Sequence, residues 1–111
     1  MIATLADVMT TPQPSRLTVT ALGDRHLGAV GTIDSHTADE LLTQLHALGT
    51  EADATLNLGQ VDFIDSSGLR TIVTSHQEFE QGGSRLVLAD PSDSVTRLME
   101  ITGLADHLHL S

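Results

Sequence analysis

Apolar residues along the chain follow two different periods, and their order predicts the fold. LTVTAL, from Leu17 to Leu22, alternates with a period of two, and HLGAVGTI follows as a second strand after a turn at Gly23-Asp24. Three segments with helical spacing then alternate with two short apolar strands, ATLNL and RLVLA. This order predicts a small α/β domain, with a mixed β-sheet of four to five strands packed with α-helices.

Polar residues mark where two of the predicted helices begin. Thr37 and Glu40 have the spacing of a capping box, in which two side chains bind the free N–H groups of the first turn. Asp90 is the predicted cap of the last helix, and Pro91 stands in its first turn, where the missing N–H is tolerated. Both helices are therefore expected to start directly after these caps.

The two ends of the chain have weaker patterns. Residues 1–16 contain two prolines among small polar residues and predict a flexible arm, so the folded domain is expected to span residues 17–111. At the other end, the tail LADHLHL fits either half a helical turn or an edge strand.

Composition excludes several functional classes. The 15 acidic residues against five arginines give a net charge of −10, which argues against nucleic acid or an anionic membrane as a partner. The absence of Lys and Cys removes Schiff-base chemistry, the lysine of a phosphate-binding loop, and thiolate catalysis. No run approaches the ~18 apolar residues that span a bilayer, and the start lacks a signal-peptide pattern. We therefore expect a cytoplasmic protein with no membrane segment.

The segment VDFIDSSGLRTI contains a small polar junction between two apolar stretches. Val61, Phe63 and Ile64 indicate the end of a buried strand, and a helix follows from about Ser66. Asp65 or Ser66 would cap that helix, which stabilises it by ~1 kcal/mol. From local physics alone, capping is the favoured role of this junction.

Two features of the junction point beyond capping. Gly68 lies in the first helical turn, where Gly costs about 0.5–1 kcal/mol relative to Ala, and its missing side chain suggests space for another molecule. The free N–H groups and the positive dipole end of a helix N-terminus suit an added phosphate dianion. Phosphorylation of a hydroxyl here would add about −1.5 to −2 charge, and would change partner binding more than folding.

Three longer stretches carry a resemblance to a known family. They are VGTIDSHTADEL (Val30–Leu41), LNLGQVDFIDSSGLRTIV (Leu56–Val73) and RLVLADPSDSVTRLMEITGL (Arg85–Leu104), and together they cover nearly all of residues 17–110. In this order they resemble the first-helix motif, the Asp-Ser-Ser/Thr-Gly-Leu signature, and the final strand and helix of the STAS domain. The likeness is specifically to bacterial anti-sigma factor antagonists.

The resemblance implies a protein without catalytic activity or cofactor. In such antagonists the dephosphorylated form binds an anti-sigma factor, which is also a serine kinase of the histidine-kinase-like ATPase fold, and so releases the sigma factor. The kinase phosphorylates the hydroxyl residue before the signature glycine, here Ser67, and a metal-dependent serine phosphatase reverses the step. The partner-binding surface implied by the resemblance comprises Asp34, Asp65, Ser66, Ser67, Gly68, Leu69 and Arg70.

Other functions and sites fit parts of the sequence. A scaffold or signalling subunit of the same fold would share these motifs without reversible phosphorylation. A Ser/His hydrolase would need a nucleophile at a sharp turn such as G-x-S-x-G, and neither Ser66 nor Ser67 fits that motif.

His76, on the apolar face of its helix, is interpreted as a buried, hydrogen-bonded residue. His107 and His109 have no third ligand at close spacing, so no metal site is predicted.

Overall fold

The computed structural model describes residues 16–110. These residues contain one five-stranded sheet, in which the strands are arranged in the order in which they occur along the chain. The strands are β1 (Leu17–Gly23), β2 (His26–Ile33), β3 (Ala54–Ile64), β4 (Leu86–Ala89) and β5 (His109–Leu110). The α-helices are α1 (Ala38–Leu48), α2 (Ser66–Gln81) and α3 (Asp93–Thr102), and a 3₁₀ turn (Ala105–His107) precedes β5. β1 pairs antiparallel with β2, and all other neighbouring strands are parallel. The predicted α/β class with a mixed sheet is confirmed.

Both ends of the described region add detail to the predicted boundaries. The tail predicted as a half-turn or an edge strand forms both, one after the other. Arg16, the last residue of the predicted arm, contacts the folded domain, because its carbonyl accepts a hydrogen bond from the N–H of Thr32 at 2.6 Å. The rest of the predicted arm, residues 1–15, lies outside the described residues.

One hydrophobic core holds the sheet and the helices together. Alternate residues of β3 are buried from Ala54 to Leu58, because successive side chains of a strand point to opposite faces of the sheet. α1 and α2 contact each other and place their apolar stripes in the same core. Fully buried side chains include Leu41, Leu45, Leu56, Ile72, Phe79, Leu88 and Met99. The first turn of α2 follows the buried end of β3 after one residue, and the first turn of α1 follows the buried end of β2 after a four-residue turn.

The start of α1 differs from the predicted capping box of Thr37 and Glu40. The hydroxyl of Thr37 makes no bond to the helix: it donates to the carbonyl of Thr32 (2.8 Å) and accepts from the N–H of Asp34 (2.9 Å). The carboxylate of Asp34 accepts from the N–H groups of His36 (2.8 Å) and Thr37 (3.2 Å). The predicted capping box is wrong because the turn after β2 supplies closer partners for the Thr37 hydroxyl.

The start of α3 also differs from the prediction. Ser92 is the cap, and its Oγ accepts a hydrogen bond from the N–H of Val95 at 3.4 Å. Asp90 adopts a left-handed backbone conformation with φ of 49°, and its carboxylate accepts from Nδ2 of Asn57 at 3.3 Å. The predicted Asp90 cap is wrong because a contact with β3 takes up this side chain.

The guanidinium of Arg25, in the turn between β1 and β2, binds the loop that joins α1 to β3. It donates hydrogen bonds to four backbone carbonyls, those of Leu48, Gly49, Ala52 and Asp53. Hydrogen bonds from a charged donor stabilise more than neutral ones do. One side chain therefore holds a loop that has no regular secondary structure of its own.

Replacing Arg25 with alanine should lower the free energy of unfolding by about 2 kcal/mol, because the loop carbonyls lose a charged donor. Urea denaturation followed by circular dichroism measures this change. Arg97→Ala, which removes an exposed arginine of α3, is the matched control and should change stability by less than about 0.5 kcal/mol. Equal midpoints for the two variants would contradict the role assigned to Arg25.

Candidate functional site

The candidate site lies at the carboxyl ends of two neighbouring parallel strands. Ile33 of β2 and Ile64 of β3 are paired in the sheet, so Asp34 and Asp65, the next residue of each strand, lie side by side. The N–H of Asp65 donates to the carbonyl of Ile33 at 3.2 Å, which ties the two strand ends together. Each aspartate stands between a strand and a helix. The sequence placed both residues at such junctions, and the parallel pairing brings the junctions together.

Asp65 is the N-cap of α2. Its backbone is extended, with φ −113° and ψ −173°, and its Oδ1 accepts a hydrogen bond from the N–H of Gly68 at 3.0 Å. Its carbonyl accepts the first helical bond, from the N–H of Leu69 at 2.9 Å. The predicted cap at this junction is therefore confirmed for Asp65 and is not shared by Ser66.

The two serines that follow Asp65 do not cap the helix. Ser66 is exposed and Ser67 is partly buried, and both lie in the first turn of α2. Within residues 16–110, neither hydroxyl has a hydrogen-bond partner. The first turn of this helix also contains no acidic residue. A hydroxyl in this position is therefore open to modification and lies at the positive end of the helix dipole.

Gly68 has an internal structural role that the sequence did not indicate. It is buried, and a Cβ added to it would lie 2.5 Å from the carbonyl oxygen and 2.7 Å from Cγ2 of Ile33. The same atom would lie 3.0 Å from Cγ1 of Ile64. The interpretation that Gly68 leaves space for another molecule is wrong, because the ends of β2 and β3 fill that space. Leu69 is also buried, at 4% exposure, and packs in the core.

Asp34 is part of the support of the site and not of its surface. Only 6% of the residue is exposed, and its carboxylate both orders the turn before α1 and forms an ion pair with Arg16. The side chain of Arg16 is 57% exposed, so a cation reaches solvent next to the buried carboxylate. The sequence interpretation missed Arg16, because it assigned this residue to the arm. Its position one residue before the first strand was the available signal.

An exposed apolar groove adjoins the junction. Phe63 is 51% exposed, so its prediction as part of a buried strand end is wrong, whereas Val61 and Ile64 are buried. The register between β2 and β3 shifts near Gly31 and Thr32, and this irregularity breaks the strict alternation of buried positions. Phe63 and the exposed Ile101 of α3 form the apolar part of the groove. The lining residues are Phe63, Ile64, Ser94, Arg97, Leu98 and Ile101.

His76 does not lie close enough to the junction serines to activate either of them as a nucleophile. His76 is on the same helix as Ser67 but nine residues away, which corresponds to about 13 Å along the axis. Its ring instead packs against that of His109, with 5.1 Å between the ring centres.

Arg70, the other predicted surface residue, is exposed on the first turns of α2. In the part of the chain that the structure describes, no helix combines the length and apolarity needed to cross a bilayer.

The fold and the junction together define an α/β domain in which a capped helix N-terminus presents free hydroxyls at the carboxyl ends of parallel strands. The chain belongs to the STAS domain family, whose model matches residues 19–111. The resemblance stated from sequence motifs is confirmed.

Individual relatives and solved structures agree with this assignment. An anti-sigma-B factor antagonist of Staphylococcus aureus is 37% identical over 84 residues, which cover 73% of this chain and 77% of the relative. An anti-sigma factor antagonist from Mycobacterium paratuberculosis has a similar structure, with a TM-score of 0.74, 20% identity, and coverage of 88% of this chain and 87% of its own. SpoIIAA of Bacillus in its phosphorylated form gives a TM-score of 0.61 at 18% identity, with coverage of 86% and 90%. SpoIIAA has also been solved in its unphosphorylated form, which gives a TM-score of 0.66.

Proposed function

We propose that this protein is an anti-sigma factor antagonist whose binding to an anti-sigma factor is switched off by phosphorylation of Ser67. The observation that carries the proposal is the Ser67 hydroxyl itself. It lies in the first turn of α2, beside a cap made by Asp65, and has no hydrogen-bond partner within residues 16–110. The names of the relatives, which are anti-sigma-B factor antagonists, support the same function.

The position of Ser67 explains how the fold would tolerate a phosphate. The first N–H groups of α2 and the positive dipole end favour added negative charge, and within the first helical turn itself, after the Asp65 cap, there is no acidic residue. The cap remains in place, because Asp65 and not a serine binds the N–H of Gly68. Phosphorylation therefore changes the surface while the domain stays folded.

The binding surface consists of the exposed groups around this helix start. Ser66, Ser67 and Arg70 provide its polar part, and the groove at Phe63 and Ile101 extends it with apolar side chains. Asp34, Gly68 and Leu69 are buried beneath that surface, and the partly exposed Asp65 borders it. These four residues fix the turns and the packing of α2. A partner that covers Ser67 would have to desolvate a phosphate there, which is unfavourable without a cation to pair with it.

The partner is an anti-sigma factor that is also a serine kinase of the histidine-kinase-like ATPase fold. This partner transfers the terminal phosphoryl group of ATP to the Ser67 hydroxyl, with release of ADP and the hydroxyl proton, and a metal-dependent serine phosphatase removes the group by hydrolysis. The antagonist itself has no catalytic activity in this cycle and acts in the cytoplasm. It acts only by binding: the dephosphorylated form binds the anti-sigma factor, and the form phosphorylated on Ser67 does not.

Incubation with the cognate kinase and ATP, followed by mass spectrometry, tests the acceptor site. One phosphate per chain is expected on Ser67, because this hydroxyl directly precedes the signature glycine and makes no hydrogen bond within residues 16–110. Ser67→Ala should abolish labelling, and Ser66→Ala is the matched control that should retain it. A phosphate mapped to Ser66 would move the acceptor by one residue, and no labelling of the wild-type chain would favour a scaffold role of the same fold.

A further inference from the structure

Three residues with metal-binding side chains meet beside β5, the edge strand at the C-terminal end of the described chain. His76 and Glu80 are four residues apart on α2, so they lie on the same face of the helix. His109 reaches them from β5, the edge strand next to β4. One ligand atom of each residue lies within 4.8 Å of those of the other two. Nothing in the function proposed above uses this cluster.

Ordinary hydrogen bonding accounts for only part of the cluster. Nε2 of His109 lies 2.8 Å from Oε2 of Glu80, which is a normal distance for an exposed pair. His76 is different, because its Nδ1 is buried and has no hydrogen-bond partner within residues 16–110. Buried polar atoms without partners are rare in native structures. The prediction that His76 is a buried, hydrogen-bonded residue is therefore wrong: the residue is only partly buried, and within residues 16–110 it makes no hydrogen bond.

We propose that His76, Glu80 and His109 form a binding site for a divalent transition-metal ion of the Zn²⁺ type. Two imidazole nitrogens and one carboxylate oxygen match the ligand preference of Zn²⁺, whereas Mg²⁺ and Ca²⁺ prefer oxygen ligands alone. With metal–ligand bonds of about 2.0–2.1 Å, a tetrahedral site separates its ligand atoms by about 3.3 Å. The three side chains therefore need only small rotations to close around an ion.

Two of the three side chains, His76 and Glu80, favour the protonation state that binds a metal ion. Burial lowers the pKa of His76, and the nearby His109 lowers it further, although Glu80 acts in the opposite direction. The hydrogen bond with His109 lowers the pKa of Glu80. A neutral imidazole and an ionised carboxylate are the forms that bind a metal ion.

An ion at this site would connect the edge strand β5 to α2. Within residues 16–110, strand β5 comprises two residues, so few backbone hydrogen bonds hold this part of the chain to the sheet. Three protein ligands also leave a fourth coordination position open to water or to a group from another molecule. His76 is nine residues from Ser67, about 13 Å along the helix axis, so metal binding and phosphorylation occupy separate parts of α2.

The sequence missed this site because its ligands come from distant segments. Spacing along the chain pairs only His107 with His109, since these two residues are close in sequence. His107 is exposed in the 3₁₀ turn and does not join the cluster. In the structure, His109 instead lies beside His76 and Glu80 of α2, which precede it by about 30 residues. The i, i+4 spacing of His76 and Glu80 was the only signal in the sequence.

Isothermal titration of the metal-free full-length protein with ZnCl₂ tests the proposal. One Zn²⁺ per chain is expected, and His76→Ala and His109→Ala should each weaken the binding at least ~10-fold, because each removes one ligand. His46→Ala is the matched control. His46 also lies 2.8 Å from a glutamate, Glu78, but no third ligand joins that pair within residues 16–110. This variant should bind Zn²⁺ as the wild type does.

A second variant and a second readout keep the test independent of folding defects. Glu80→Gln changes an exposed side chain, should leave the circular dichroism spectrum intact, and should still weaken Zn²⁺ binding. Co²⁺ bound to the wild type should produce visible absorption bands that are lost in this variant. Zn²⁺ affinity that is equal in the wild type and all variants, or the absence of stoichiometric binding, would overturn the proposal. Either result would leave the function proposed for Ser67 unaffected.

Discussion

Ser67→Asp is expected to bind the cognate anti-sigma factor kinase about 30-fold more weakly than the wild type does, whereas Ser67→Ala should bind with unchanged affinity. The aspartate places a permanent charge at a partly buried position in the first turn of α2. A partner that packs over this turn must desolvate that charge, and an unpaired charge in an interface costs about 2 kcal/mol or more. That free energy corresponds to a loss of affinity of about 30-fold.

Isothermal titration or surface plasmon resonance with the purified kinase measures this difference. Ser66→Asp is the matched control, because it adds the same charge to the neighbouring, more exposed residue. Its effect should be several-fold smaller than that of Ser67→Asp. Equal affinities of the Asp and Ala variants at position 67 would eliminate the charge mechanism, and a larger effect at position 66 would move the switch to Ser66.

Gly68→Ala is expected to lower the free energy of unfolding by about 2 kcal/mol, although Ala is normally favoured over Gly in a helix by about 0.5–1 kcal/mol. The added Cβ would lie 2.5 Å from the carbonyl oxygen of Ile33, which belongs to the backbone and has little freedom to move. The clash therefore outweighs the gain in helix propensity. Relief of the clash requires the start of α2 to move away from the end of β2.

Urea denaturation of Gly68→Ala and of a matched glycine variant tests this packing. Gly23→Ala is the control, because its added Cβ would meet only Cβ of His26 at 3.8 Å, an ordinary contact distance. This control should change stability by less than about 0.5 kcal/mol. If Gly68→Ala proved as stable as the wild type, the close packing of α2 on β2 would be refuted.

Local sequence predicted the secondary structure well because the relevant forces act over short distances. Apolar periodicity identified the strands and helices of residues 17–110, and the polar junction identified Asp65 as a cap. The caps at Thr37 and Asp90 were predicted wrongly for one shared reason. Each side chain has several polar groups within reach, and the tertiary structure selects among them. The local sequence shows which residues are able to cap a helix, but it does not show which other hydrogen-bond partners compete for their side chains.

The sequence by itself determined the order of elements, the family and the serine junction, since these depend on periodicity and on neighbouring residues. Only the tertiary structure decided which side chains are available. It buried Gly68 against Ile33, exposed Phe63, and joined Asp34 to Arg16. It also brought His109 to His76 and Glu80 across about 30 residues of chain. Parallel strands unite segments that are far apart in sequence, so spacing along the chain carries no information about such contacts.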